Sequence, residues 1–215
     1  MKTKIVSLIL AFGFFNAALS GNSAKIGYAS DFFYRGSQKA EESVQASIGL
    51  SSKVSSLDIG AHVCTNQAVN TGNDSYHLGM GVGKSFSEGL LSAYVGVNHF
   101  EDKPGDALSE LEVKLSSNSL LNPSVSVFRD FDDSLYTVEA GVSHSFDLNV
   151  VNLEIDASAG NTDLTNSTDR SYYSVGATAS KSISDQADLA LGVDYVDADD
   201  IDREFVFGAS LSLKF

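Results

Sequence analysis

Cysteine occurs once in this sequence, at Cys64, so no disulfide forms within the chain. A secreted domain without a covalent staple has to be held by burial or by backbone pairing. Clusters of Lys and Arg are also missing, against a formal net charge of -14. That excludes nucleic acid as a partner, because phosphate contacts require clustered bases. Beyond the first fifteen residues there is no long apolar run. A transmembrane helix, which needs ~20 apolar residues, is therefore excluded from the rest of the chain.

What is present is alternation. In the last segment Phe205, Phe207, Ala209, Leu211, Leu213 and Phe215 share one face, and Val206, Gly208, Ser210, Ser212 and Lys214 share the other. A period of two is the mark of a strand with one apolar face. An apolar strand ending on a terminal Phe resembles the last strand of bacterial outer-membrane barrels. The resemblance implies that Phe205, Phe207, Leu211, Leu213 and Phe215 are an assembly signal. The implied partners are the barrel-assembly machinery and outer-membrane lipids.

The same alternation recurs about every sixteen residues along the chain. It predicts twelve strands: Lys25–Arg35, Ser43–Ser52, Ser56–Thr65, Ser75–Ser85, Leu90–Phe100, Leu108–Ser116, Ser124–Phe131, Leu135–Phe146, Val150–Ala159, Ser171–Ser182, Ala187–Val196 and the terminal segment. Each is near the ~9–11 residues of a tilted membrane strand. The expected fold is an all-β, 12-stranded, antiparallel up-and-down transmembrane barrel. It occupies 21–215 as one domain, with the terminal strand closing against the Tyr28–Arg35 strand. A soluble sandwich or lipocalin-like barrel shares the alternation but needs more large apolar residues for its core.

Residues 1–20 read as a cleaved signal peptide. Lys2 and Lys4 form the basic region, Ile5 to Phe15 the apolar region, and Ala18-Leu19-Ser20 the cleavage site. Export of the N-terminus and an even strand count place both termini in the periplasm. The expected periplasmic connections are mostly short, near Lys53-Val54-Ser55, Ser87-Glu88-Gly89, Asp147-Leu148-Asn149 and Ser184-Asp185-Gln186, with a longer one at Ser117–Pro123. The opposite set is expected to be longer and acidic: Gly36–Glu42, Asn66–Asp74, Glu101–Ala107, Asn161–Arg170 and Asp197–Asp202, with Asp132-Asp133 short. Tyr34, Tyr76, Phe100, Phe131, Tyr136, Tyr173 and Phe205 are expected in an outer aromatic girdle, and Phe86, Phe146 and Phe215 in an inner one.

The first strand carries a motif, Tyr28-Ala-Ser-Asp31-Phe-Phe-Tyr-Arg35-Gly36-Ser37-Gln38. It resembles the opening strand of Gcw_chp, a family of small exported bacterial proteins of unknown function. The motif is one residue shorter here, between Gly36 and Ser37. The resemblance implies a porin-like outer-membrane barrel and supplies no catalytic residues. Asp31 and Arg35 lie roughly 13 Å apart along a straight strand. They are too far apart to pair with each other, so each is expected to seek a partner across strands.

Projecting the second face inward gives the candidate lumen lining: Asp31, Arg35, Asp58, His62, Glu110, Glu112, Lys114, Glu139, Glu154, Asp156, Asp188, Asp194 and Glu204, with His77 as a further candidate base. Many other inward positions are Gly or Ser, among them Gly79, Gly81, Gly96, Gly141, Gly176, Gly192 and Gly208. Twelve strands lie between the filled eight-strand and the open sixteen-strand regimes. Small residues with excess acid favour a narrow, wet, cation-preferring passage for small ions or solutes. The alternative is a closed structural barrel whose acidic loops meet a surface partner.

Enzymatic readings are weaker. His99 and His144 share the lipid-facing parity, as a lipid-active barrel enzyme would require, but no Ser partner follows from spacing. Asp132-Asp133 as an acid-protease pair competes with a plain solvated loop. Asp197–Asp202 lacks the Gly and distal Glu of a calcium loop. The sequence is therefore read as a non-enzyme with no cofactor and no metal site.

Overall fold

A computed structural model describes residues 22–35, 37–102, 106–131, 135–164, 168–199 and 201–215. The expected signal peptide, Gly36 and Asp132-Asp133 lie outside the described residues. Twelve strands run in chain order: β1 Ser23–Tyr34, β2 Ser37–Val54, β3 Leu57–Gly72, β4 Ser75–Phe86, β5 Leu91–Asp102, β6 Asp106–Ser117, β7 Ser124–Asp130, β8 Tyr136–Asp147, β9 Asn152–Leu164, β10 Thr168–Ser184, β11 Ala187–Ala198 and β12 Ile201–Lys214. Each pairs antiparallel with the next, and β1 pairs with β12, closing the barrel. No α-helix occurs among the described residues; a single 3-10 turn sits at Ser87–Gly89.

The barrel closes because the alternation holds one parity through each pairing. Ile26 lies beside Ala46 and Leu211, and Val82 beside Ile59 and Val95, so apolar side chains adjoin across strands on the outer face. In β12 Phe205 and Phe207 are 62% and 58% exposed, while Val206 between them is fully buried. The large apolar set therefore faces outward and the small polar set inward, as in a membrane barrel and opposite to a lipocalin. Closure leaves the barrel wall without a free edge except where one pairing stops early.

That exception is at the seam. β1 follows β12 from Ser23↔Lys214 to Ala29↔Gly208 and no further, although β12 continues to Ile201. Beyond Ala29, β1 stays with β2 as far as Tyr34↔Ser37, with a bulge between Phe32 and Phe33. The Phe207 N–H donates to the Ser30 side-chain oxygen at 3.0 Å, where a ladder would supply a β1 carbonyl. The end of β1 is thus set inside the wall. Phe33 packs there with Ala29, Val196 and Val206, and Phe32 packs with Ala40 and Phe100. Tyr34 and Phe100, expected in the outer girdle, instead face the lumen: beyond the bulge between Phe32 and Phe33 the end of β1 turns inward, and Phe100, the ladder partner of His77, lies on the inward parity of β5.

The expected long loops are largely strand. β2 spans 18 residues and begins at Ser37, and β3 runs to Gly72. β9 and β10 extend to Leu164 and from Thr168. Their polar residues suggested loops, but backbone pairing needs no apolar side chain. Only a bulge interrupts the β2–β3 extension, between Glu41 and Ser43, where Glu42 takes φ 50. The six-residue link Asn118–Pro123 joins β6 to β7 at the end of the barrel that carries the chain termini.

Candidate functional site

The inward faces build a lumen with two unlike halves. On the β5–β8 side it carries Glu110, Glu112, Lys114 and Glu139, and Arg35 reaches into it from the end of β1. Arg35 Nη1 and Nη2 donate to the two Glu110 carboxylate oxygens at 2.6 and 2.5 Å. β1 and β6 stand five positions apart in a ring of twelve, so this bidentate pair spans the lumen. Glu110 is 2% exposed.

Aromatic rings hold the pair. The Arg35 guanidinium carbon lies 3.8 Å from the Phe128 ring centre and 4.8 Å from that of Tyr34. Tyr34 stacks on Phe100 at 4.7 Å and donates its hydroxyl to Glu110 at 3.3 Å. Asn98 donates to Glu110 at 3.4 Å and to Glu112 at 3.1 Å. A forked guanidinium–carboxylate pair with rings on its flat faces is the geometry Arg provides and Lys does not.

Tyr34, Arg35, Glu110 and Phe128 line two cavities at once. They are the partition between them. One cavity continues past His77, Asn98, Glu112, Lys114 and Glu139; the other opens past Ser37, Lys39, Asp130, Thr137 and Arg170.

The inward glycines are not empty space. A Cβ on Gly81 or Gly96 would collide with the Tyr94 ring, on Gly160 with Tyr172, and on Gly79 with His62. These glycines are beds on which larger side chains lie flat along the wall. The expected openness is corrected at these rows, because alternation does not reveal which neighbouring side chain leans over a glycine.

The β9–β12 side is acidic. Asp188 is met by Lys214 at 2.5 Å and by the Ser182 hydroxyl at 2.6 Å. Ser145 donates to Glu154 at 3.3 Å. Asp156 and Asp194 both bend over Gly176, and Glu204 lies on the inward parity of β12 beside Val206. Asp31 accepts from Gln38 and Ser30, each at 2.9 Å, and does not meet Arg35. Asp58 sits near the terminal rim, 3.7 Å from Lys53. His62 and His77 face the lumen with ring centres 5.0 Å apart.

Sequence reasoning missed Tyr94, Tyr172, Phe128 and Asn98, whose roles depend on register. It also missed Lys39, paired with Asp102 at 2.9 Å, and Lys214 as the partner of Asp188. A serine partner for His99 is present: His99 Nδ1 lies 2.9 Å from Ser109 Oγ on the outer face, and Nε2 lies 3.9 Å from Glu101. Among the described residues no group of three or more His, Cys, Asp or Glu side chains is arranged to hold a metal ion.

No family model and no curated protein matches the sequence. Solved structures do. The KdgM porin in complex with disordered oligogalacturonate superposes with TM-score 0.63 at 10% identity, over 90% of this chain and 99% of that one. The outer membrane channel from Pseudomonas putida F1 gives 0.62 at 10% identity, over 94% and 98%. The NanC porin gives 0.60 at 10% identity, over 91% and 100%. At these identities the likeness is one of fold: a closed twelve-stranded outer-membrane barrel.

Proposed function

We propose that this chain is an exported outer-membrane barrel, its termini periplasmic, acting as a narrow porin-like passive channel that prefers cations. It is not an enzyme and needs no cofactor. Lipids surround it, the assembly machinery reads its Phe205–Phe215 strand, and the resemblance of its first strand to Gcw_chp supports a porin-like reading. The observation that carries this reading is the lumen itself. It is divided at Tyr34, Arg35, Glu110 and Phe128, and its β9–β12 wall carries Glu154, Asp156 and Asp194, with Asp188 paired to Lys214.

The charge sets the solute class. A lumen lined by Glu112, Glu139, Glu154, Asp156 and Asp194 raises the local concentration of cations and repels anions. The KdgM neighbour was solved with oligogalacturonate, an acidic sugar. The acidic wall here favours small cations and neutral solutes over such a ligand. In a planar bilayer with a salt gradient, the reversal potential is expected on the cation-selective side. Glu154→Gln with Asp156→Asn should move it toward zero, and an unchanged potential in that variant would contradict the reading.

A second reading is a non-conducting barrel that meets a surface partner, favoured by the buried pair and rings across the lumen. Zero conductance that survives removal of the partition would support it. The His99–Ser109 contact favours a lipid-active enzyme more weakly. Glu101 stands beyond hydrogen-bond reach of His99, and His99 and Ser109 are ladder partners, so no free pair of backbone N–H groups faces an oxyanion there. A lipase assay with His99→Ala as control tests it.

A further inference from the structure

The cavity bounded by β1 and β3–β8 holds polar groups that partition and net charge leave unused. Asn66 on β3 and Asn98 on β5 both line it and are 2% and 5% exposed. The Asn66 carbonyl oxygen accepts from Gln45 at 3.5 Å, but its amide nitrogen donates to nothing among the described residues. Asn98 gives its amide nitrogen to Glu110 and Glu112. Its carbonyl oxygen, beside the His77 ring, is in hydrogen-bond geometry with no donor among the described residues. Buried amide groups are paired as a rule. A donor and an acceptor left over on the walls of one cavity suit a ligand that carries both.

The rest of the wall sets the chemical class. Phe32 and Phe100, packed in one cluster, line the same cavity with Phe33. Aromatic walls favour a ring-shaped partner in offset-stacked or edge-to-face contact. Their faces attract positive charge and not negative. The charged groups of the wall agree. Glu110 is matched by Arg35, which leaves Glu112 and Glu139 against Lys114. An anion would meet that surplus of carboxylate, whereas a neutral or cationic molecule would not. Mostly apolar walls with a few placed polar groups are the ordinary make-up of a small-molecule site.

We propose that this cavity binds a single-ring aromatic solute with a hydroxyl or amine and no negative charge, an aryl alcohol or aryl amine. The ring rests among Phe32, Phe33 and Phe100. A hydroxyl oxygen accepts the Asn66 N–H, and an amine or second hydroxyl donates to the Asn98 oxygen within the field of Glu112. This rests on the passive-channel reading, for which it names a solute class, but it is measured by binding rather than by conduction.

The test is equilibrium dialysis of the purified, folded barrel in lipid nanodiscs against three molecules of similar shape. Tyramine is positive, tyrosol is neutral and 4-hydroxyphenylacetate is negative; empty nanodiscs give the background from lipid. Wild type is expected to bind tyramine and tyrosol saturably at one site, and 4-hydroxyphenylacetate at least about tenfold more weakly. Asn66→Leu should weaken tyramine binding about tenfold. Ser126→Phe, which fills the cavity from β7, should abolish it, and Asp185→Asn, in an exposed turn, should leave it intact. Tyramine binding no greater than in empty nanodiscs, equal binding of all three molecules, or an Asn66→Leu variant that binds as wild type does overturns the proposal. If Ser126→Phe fails to fold, Asn66→Leu and the comparison of charges decide on the same terms. A barrel that binds tyramine without conducting keeps the site and loses the channel; one that conducts and binds none of the three does the reverse.

Discussion

At the scale of the residue, the pair that crosses the lumen is a buried charge pair, with the energetics of one. Removing Glu110 alone leaves the Arg35 guanidinium buried between two rings without its counter-charge. Glu110→Ala is expected to destabilise the folded barrel by about 3–5 kcal/mol, and replacing Arg35 and Glu110 together by Leu by much less. Urea unfolding in lipid vesicles measures both; a double-variant loss as large as the sum of the two single losses would mean the two groups do not depend on each other. The wall glycines make a second prediction. Gly96→Ala places a methyl group where the Tyr94 ring lies and should cost about 1–3 kcal/mol, a loss that Tyr94→Ala relieves. If Tyr94→Ala gives no relief in the same measurement, the ring does not rest on Gly96.

The sequence named both charges of the partition and their inward face, from parity alone. It could not join them. Arg35 follows a strand end that leaves the wall, and Glu110 lies 75 residues further on, so the contact depends on a displacement that alternation does not encode. Tyr34 shows the same limit in reverse: its place near a strand end suggested an interface aromatic, and the inward shift of that end made it part of the plug.

At the scale of the element, the early end of the β1–β12 pairing is the irregularity with consequences. Backbone N–H groups alternate in direction along a strand, so Phe205 and Arg203 point to the same side as Phe207, toward β1. Pairing with β1 stops at Gly208, and among the described residues only Phe207 has a substitute acceptor, Ser30. Amide exchange in a membrane mimetic should therefore be fast at Arg203 and Phe205 and slow at Ala209 and Leu211. Ser30→Ala should speed exchange at Phe207 specifically. Uniform protection along β12 would show that the seam is zipped throughout. All twelve strands were legible as alternation, while the extensions of β2, β3, β9 and β10 were not. Beyond the apolar band both faces become polar, and hydrogen-bonded backbone then looks like loop in a hydropathy pattern.

At the scale of the whole molecule, an apolar outer surface, a wall without free edges apart from the seam, and an acidic interior narrowed by one partition make a constricted channel. The closed wall follows from consecutive pairing, the solute preference from charge, and the constriction from the inward turn of β1. The most direct test is single-channel recording in a planar bilayer, comparing wild type with Arg35→Ala/Glu110→Ala. A several-fold larger cation-selective conductance in the double variant, folded and closed into a barrel as wild type is, is the predicted result. A conductance unchanged from wild type, or absent from both, would contradict the account.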